Sequence, residues 1–340
     1  MIKKELFEKN NETEIYRYTI TDKITVSFIA LGARVMNILV PDRDGRLVDV
    51  ALNMANVQDI IDKSGYMGAT IGRCCNRIGK GSFEIDGKKF KLWHDVNAAH
   101  LHGGKEGFDK KLFTVQTDEG KNSITMCYFS PDKEEGYPGD ALISVRFTVE
   151  GAKLIIEYFA ESSADTLMSL TNHTYFNLNG ECDGNILDNV LKINANAYLP
   201  TDKLWVPTGE IKSVENTPFD FRKAKPIGQD IGDENDDLKN AAGGYDHCFC
   251  LTDKHFATVY SEKTGIKMDC YTDLPGVQFY SGNFLTGEKG KSVYNKYAGF
   301  CLETQFYPDA IHNPAWKQPV LRKHDKYYSK TAYEFSIKNF

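Results

Sequence analysis

The most restrictive feature of this chain is a long stretch of two-residue alternation in which no helical period intervenes. Between residues 124 and 159, Ile143, Val145, Phe147 and Val149 alternate with Ser144, Arg146 and Thr148, and residues 150–153 then turn the chain into a second alternating run at 154–159. Successive side chains of a strand point to opposite faces, so this pattern belongs to sheets that bury one face. Similar short runs, broken by Gly, Pro, Asn and Asp, recur as far as Ser336. The expected fold is therefore all-β, a large and mainly antiparallel β-sandwich with few short helices, not a doubly wound α/β fold.

Local signals fill in this outline. Residues 13–52 read as a meander of short strands, with a turn at Asp42-Arg43-Asp44-Gly45. Residues 56–63 carry the best early helix signal, since Asn56 can cap and Asp59 sits three residues on. Asp86-Gly87 supplies the positive-φ pair of a tight hairpin and sets Phe83 opposite Phe90. Residues 228–244, rich in Asp, Asn and Gly, read as a long surface loop. No shift in composition marks a linker and no repeat is visible, so residues 1–340 are expected to form one domain.

Charge narrows the partners. A net charge of -6 and no clustered Lys/Arg run argue against nucleic acid or an anionic membrane surface. The first residues lack the apolar core of a secretory signal and no apolar run reaches membrane-spanning length, which gives a cytoplasmic expectation. The eight cysteines, with no C-x-x-C pair, are then expected to be free thiols and not disulfides or zinc ligands. No Walker loop or dinucleotide fingerprint is present, and no metal site or cofactor is expected.

Two polar stretches interrupt the packing pattern. In TNHTYFNL, residues 171–178, strand parity places Asn172, Thr174 and Phe176 on one face and Thr171, His173, Tyr175 and Asn177 on the other. In LETQ, residues 302–305, Leu302 and Thr304 alternate with Glu303 and Gln305. His173 reads either as a core histidine satisfied by hydrogen bonds or as a site residue. Glu303 is the stronger signal, because a carboxylate in an apolar run costs free energy unless it is paired, hydrogen-bonded or neutralised. A structural ion pair and a functional group are both open for it. Three further clusters set polar side chains among glycines: Asn76-Arg77 in a Gly-rich bend, His100 and His102 before Gly103-Gly104, and Asp246 in GGYDHCF.

Taken together, the ordered motifs GATIGRCCNRIGKGSFEIDGK, HLHGG, EEGYPG, LTNHTYFNL, TGEI, TPFDFR, GGYDHCF, PGVQFYSGNFL and GFCLETQFYPDAIHNP resemble those of the aldose 1-epimerases, also called galactose mutarotases. The resemblance runs from about Ile15 to the C-terminus. It implies a galactose mutarotase-like supersandwich with an open sugar groove, in agreement with the strand pattern. Residue by residue, it implies that Glu303 is the catalytic base and His173 the catalytic acid, with Asn76, Arg77, His102, Asp246 and Gln278 binding substrate. Tyr175 shares the His173 face by parity and is expected in the same groove. Ala99 and His100 stand where the resemblance leads one to expect Asn and a small residue before LHGG.

The implied substrate is a free aldohexose, whose anomers exchange by proton transfers alone, so the resemblance implies no cofactor. A hexose-6-phosphate epimerase would need extra Arg or Lys converging on a phosphate, which the net acidity disfavours. A sugar-binding module that had lost catalysis would not need both His173 and Glu303. A glycosidase, with Glu303 and Asp246 as its carboxyl pair, is a remote alternative. The preferred sugar and the choice between monomer and homodimer are open.

Overall fold

The computed structural model describes residues 1–10, 13–63, 65–95 and 98–338. Its frame is a nine-stranded sheet facing a seven-stranded sheet, and every strand pairing in the two is antiparallel. The larger sheet centres on Ala141–Glu150, Lys153–Ser162 and Lys326–Ile337, and the smaller on Asp246–Leu251, Gly276–Tyr280 and Phe300–Gln305. A five-stranded meander from Ile2 to Asp49 packs alongside them. Ile143, Val145 and Phe147 from the larger sheet join Phe249, Val277, Phe279, Phe300 and Leu302 from the smaller in one apolar cluster that excludes water. Each such side chain stabilises the fold by roughly 1.5–3 kcal/mol on full burial.

The helix expected at 56–63 is Val57–Asp62, and the Asn56 side chain accepts a hydrogen bond from the Asp59 amide at its N-terminus. The Asp86-Gly87 hairpin pairs Phe83 with Phe90, their rings 5.1 Å apart. Both turn residues have positive φ, 50° and 79°. Two expectations need correction. Residues 228–244 are not all loop: Asp236–Asn240 forms a helical turn, capped by Asn235 and anchored by the buried Leu238. Nor is 171–178 one continuous strand. Thr171–Asn172 pairs with Thr70–Ile71, whereas Tyr175–Phe176 lies in the seven-stranded sheet between Ala51–Leu52 and Phe300–Gln305. Asn172 drives the break, since its Oδ1 accepts from both the amide and the hydroxyl of Thr174 while its Nδ2 donates to the Gly68 carbonyl. Among the described residues, no helix is long and apolar enough to cross a membrane.

Candidate active site

Strand register in the seven-stranded sheet lines up one set of polar groups. Gln278 is paired directly with Glu303 and with Cys248, and Asp246 with Tyr280. Directly paired residues project from the same face of a sheet, so Gln278 and Glu303 stand side by side. Gln278 Nε2 donates to Asp246 Oδ1 at 2.7 Å and Gln278 Oε1 accepts from Gln305 Nε2 at 3.3 Å. These bonds fix the amide between two strands and leave Glu303 beside it.

Short ribbons and bends supply the opposing wall. His173 falls in the gap between the two short strands, where its amide donates to the Ala69 carbonyl and its carbonyl accepts from the Gly68 amide, both at 2.9 Å. The Arg77–Ile78 and His100–Leu101 ribbon ends in His102, whose amide donates to the Asn76 carbonyl and whose Nδ1 accepts from the Asn76 amide at 3.2 Å. Asn76 and His102 both have positive φ, 58° and 50°. The turn after them requires glycine: a Cβ on Gly103, at φ +89°, would stand 1.8 Å from the Gly72 carbonyl oxygen. Beneath this wall the buried Arg34 donates from Nη1 to the Met67 carbonyl and from Nη2 to the Asp109 carbonyl, tying down the bend that carries Tyr66.

These walls enclose a cleft of about 290 Å³ lined by Asn76, Arg77, His102, His173, Tyr175, Asp246, Gln278 and Glu303, so all eight residues singled out in the sequence meet there. His173 Nε2 is 3.6 Å from Glu303 Oε1, and the His173 ring lies 5.1 Å from Tyr175 and 5.3 Å from His102. Cys301 Sγ sits 3.5 Å from the other ring nitrogen of His173.

Burial sets the electrostatics. It pushes the Glu303 carboxyl well above the ordinary carboxylate range; nearby Asp246 pushes the same way, and Arg77 opposes both. Glu303 Oε2 is buried and has no hydrogen-bond partner among the described residues. Burial also holds the His173 imidazole down at about 4, and holds His102 well below the usual range with help from His173 and Arg77. In both central groups the charged form is the costly one, which makes a Glu303 carboxylate a strong base and a His173 imidazolium a strong acid. His102, His173 and Glu303 also bring donor atoms within 4.8 Å of one another, a loose spacing for an ion.

His100 has a different task. Its two ring nitrogens bond the Trp93 carbonyl and the Tyr137 hydroxyl, both at 2.6 Å, in the interior behind the cleft. The cleft also contains residues that the sequence reading passed over: Tyr66, Tyr280, Phe284, Leu285 and Glu288. Tyr280 shares the parity of Gln278 in Gly276–Tyr280 and was readable from that alone. Tyr66 was not, for it lies in a bend at φ 56° and reaches His102 and His173 only through the tertiary fold, at 4.7 and 5.6 Å.

Comparison with known proteins agrees with this arrangement. The sequence profile of the family described as aldose 1-epimerase matches residues 16–334. Galactose mutarotase of Homo sapiens is 42% identical over 324 residues, covering 93% of this chain and 92% of the relative. Aldose 1-epimerase of Escherichia coli (strain K12) is 34% identical over 322 residues, covering 92% of each. Among solved structures, galactose 1-epimerase from Lactobacillus acidophilus NCFM superposes with a TM-score of 0.88 at 25% identity, over 100% of this chain and 99% of that one. With the sheet frame, the cleft and an end-to-end sequence match all in accord, the chain belongs to the aldose 1-epimerase family.

Proposed function

We propose that the protein interconverts the α and β anomers of free aldohexoses such as galactose and glucose by opening and reclosing the pyranose ring, with Glu303 as base and His173 as acid. The observation that carries this reading is the buried, adjacent carboxyl and imidazole, each shifted so that its charged form is reactive. In the opening step the Glu303 carboxylate takes the proton of the anomeric hydroxyl while the His173 imidazolium gives one to the ring oxygen. The bond between the anomeric carbon and the ring oxygen breaks, leaving a free aldehyde, a carboxylic acid and a neutral imidazole. Rotation about the bond between the first two sugar carbons presents the other face of the aldehyde. Reclosure then runs the two proton transfers backwards, with the groups exchanging roles.

The step moves protons and no electrons, so it calls for no redox cofactor. Asn76, Arg77, His102, Asp246 and Gln278 would hold the sugar hydroxyls, and Tyr175 would pack beside His173; orientation of this kind lowers the entropic part of the barrier. Each of the two proton-transfer groups would contribute about 10²–10⁴ in rate. The same reading takes residues 1–340 as one catalytic domain.

The cleft favours a neutral sugar over a sugar phosphate. Among its described lining residues Arg77 is the one Lys or Arg, set against Asp246, Glu288 and Glu303. Polarimetry on freshly dissolved α-D-galactose tests the proposal. The protein should accelerate the approach to rotational equilibrium and act more slowly on galactose 6-phosphate. An unchanged progress curve at high protein concentration would remove the epimerase reading, and a preference for the phosphate would remove the neutral cleft.

A further inference from the structure

Arg77 is the cationic member of the cleft, yet its side chain forms no ion pair with any described residue. Its guanidinium stands instead over the ring of Trp205, 5.4 Å from the centroid. Trp205 is unusually well fixed for a half-buried aromatic on a turn. The turn closes through the Trp205 amide to the Asp202 carbonyl at 3.0 Å and through Asp202 Oδ1, which accepts from the Leu204 and Val206 amides at 2.8 and 3.1 Å. Trp205 itself has φ 58°, a conformation that side chains other than glycine seldom adopt. Its indole N–H donates to the Asn240 carbonyl at 2.9 Å, and its edge meets Phe284 with centroids 6.0 Å apart.

An aromatic face and a carboxylate hold a guanidinium with different consequences. A carboxylate would occupy the N–H donors and cancel the charge. A stacked ring attracts the cation through its quadrupole and leaves the donors, which lie in the guanidinium plane, free for oxygen acceptors. We infer that Trp205 is a positioning residue for Arg77: it fixes the guanidinium at the mouth of the cleft while leaving its donors and its charge available to the sugar and to Glu303. This rests on the epimerase reading of the site. It adds a residue that touches neither of the proton-transfer groups and that no motif singled out.

Glu303 provides the readout. It is faced by the charged Asp246 and Arg77, by His173 and His102, and by the neutral Tyr175, Tyr280, Tyr333, Cys75, Cys248 and Cys301. Of these, only Arg77 favours its ionisation as a cation, so a displaced guanidinium moves the titration of Glu303 to higher pH.

The test is a double-mutant cycle read as kcat/KM for galactose against pH, in the full-length protein. Trp205→Leu should lower kcat/KM roughly tenfold, between the values of an exposed and a fully desolvated cation–π contact, and should move the alkaline limb upward. Trp205→Phe keeps an aromatic face and should recover most of both. In an Arg77→Ala background, Trp205→Leu should cost nothing further. The inference is overturned if the loss is as large without Arg77 as with it, if the alkaline limb stays put, or if Phe rescues no better than Leu. Should Trp205→Leu fail to fold, Trp205→Met serves in its place in the same cycle. An inactive wild-type protein would instead overturn the epimerase reading, so the two failures are distinct.

Discussion

His173 Nε2 and Glu303 Oε1 lie 3.6 Å apart, and both side chains are almost wholly shielded from solvent, at 5% and 2% exposure. At that distance the two groups titrate as a pair, and the active form carries one proton between them. A second proton reaches His173 only near pH 4, because burial lowers it to about 4. The single proton is lost only above the raised pKa of Glu303. The profile of kcat/KM for galactose should therefore be flat between an acid limb near pH 4 and an alkaline limb well above the ordinary carboxylate range. A single step centred at the free-imidazole value of about 6.5 would contradict the pairing.

Replacing the base separates catalysis from stability. Glu303→Gln should cut turnover by about 10²–10⁴ while galactose affinity, measured by calorimetry, stays within a few fold. His173→Asn should lower turnover by a similar factor. The sign of the stability change follows from the raised Glu303 pKa: the carboxyl favours the folded chain most below the ordinary Glu range and loses that contribution as pH rises through its folded pKa. Glu303→Gln lacks this loss. Its melting temperature should exceed that of the wild type by more at pH 8 than at pH 5, and a lower melting temperature at pH 8 would show that Glu303 is a structural ion-pair member.

Asp246→Asn should act on binding and on the base together. The carboxylate accepts from Gln278 and is the second cause, after burial, of the high Glu303 pKa. Neutralising it should raise KM severalfold and shift the alkaline limb to lower pH, the opposite direction to the Trp205→Leu shift. A rise in KM with an unmoved limb would mean that Asp246 does not act on Glu303.

All eight cysteines should titrate as free thiols in denaturant, and their native reactivity should follow burial. Cys182 is exposed and Cys127 half-exposed, whereas burial pushes Cys74 up to about 12 and Cys75, Cys248 and Cys301 well above the usual thiol range. An aromatic disulfide reagent should therefore modify Cys182 first with little loss of activity. Ser at positions 74 and 75 should leave turnover near the wild-type value. Prompt inactivation with label on a buried cysteine would contradict this.

What the sequence revealed depended on how local each signal was. The alternation of Ile143, Val145, Phe147 and Val149 needs only a neighbouring sheet to be correct, and those residues are buried as their pattern requires. Strand parity also brought Tyr175 into the cleft with His173, although for an incomplete reason, because Asn172 breaks the strand between them by bonding to Thr174 and Gly68. Apolar periodicity contains no record of such side-chain-to-backbone bonds. The turn at Asp236–Asn240 was hidden likewise, since it buries one residue, Leu238, and so carries no period. Tyr66 and Trp205 owe their places to positive-φ bends and to partners far along the chain, which no local pattern encodes.

The break at residues 173–174 also bears on how the protein is born. Leading into it, two side chains are tied to partners far away in the chain: that of Asn172 to the Gly68 carbonyl, 104 residues earlier, and that of His173 to the Cys301 thiol, 128 residues later. Contacts of such separation close late, because the loss of loop entropy comes before the gain from packing. The imidazole and the carboxylate therefore meet only after the two remote closures have both occurred. During refolding, catalysis should return after the β-sheet signal in circular dichroism has levelled off, so that turnover reports the final closure of the chain and not the assembly of its sheets.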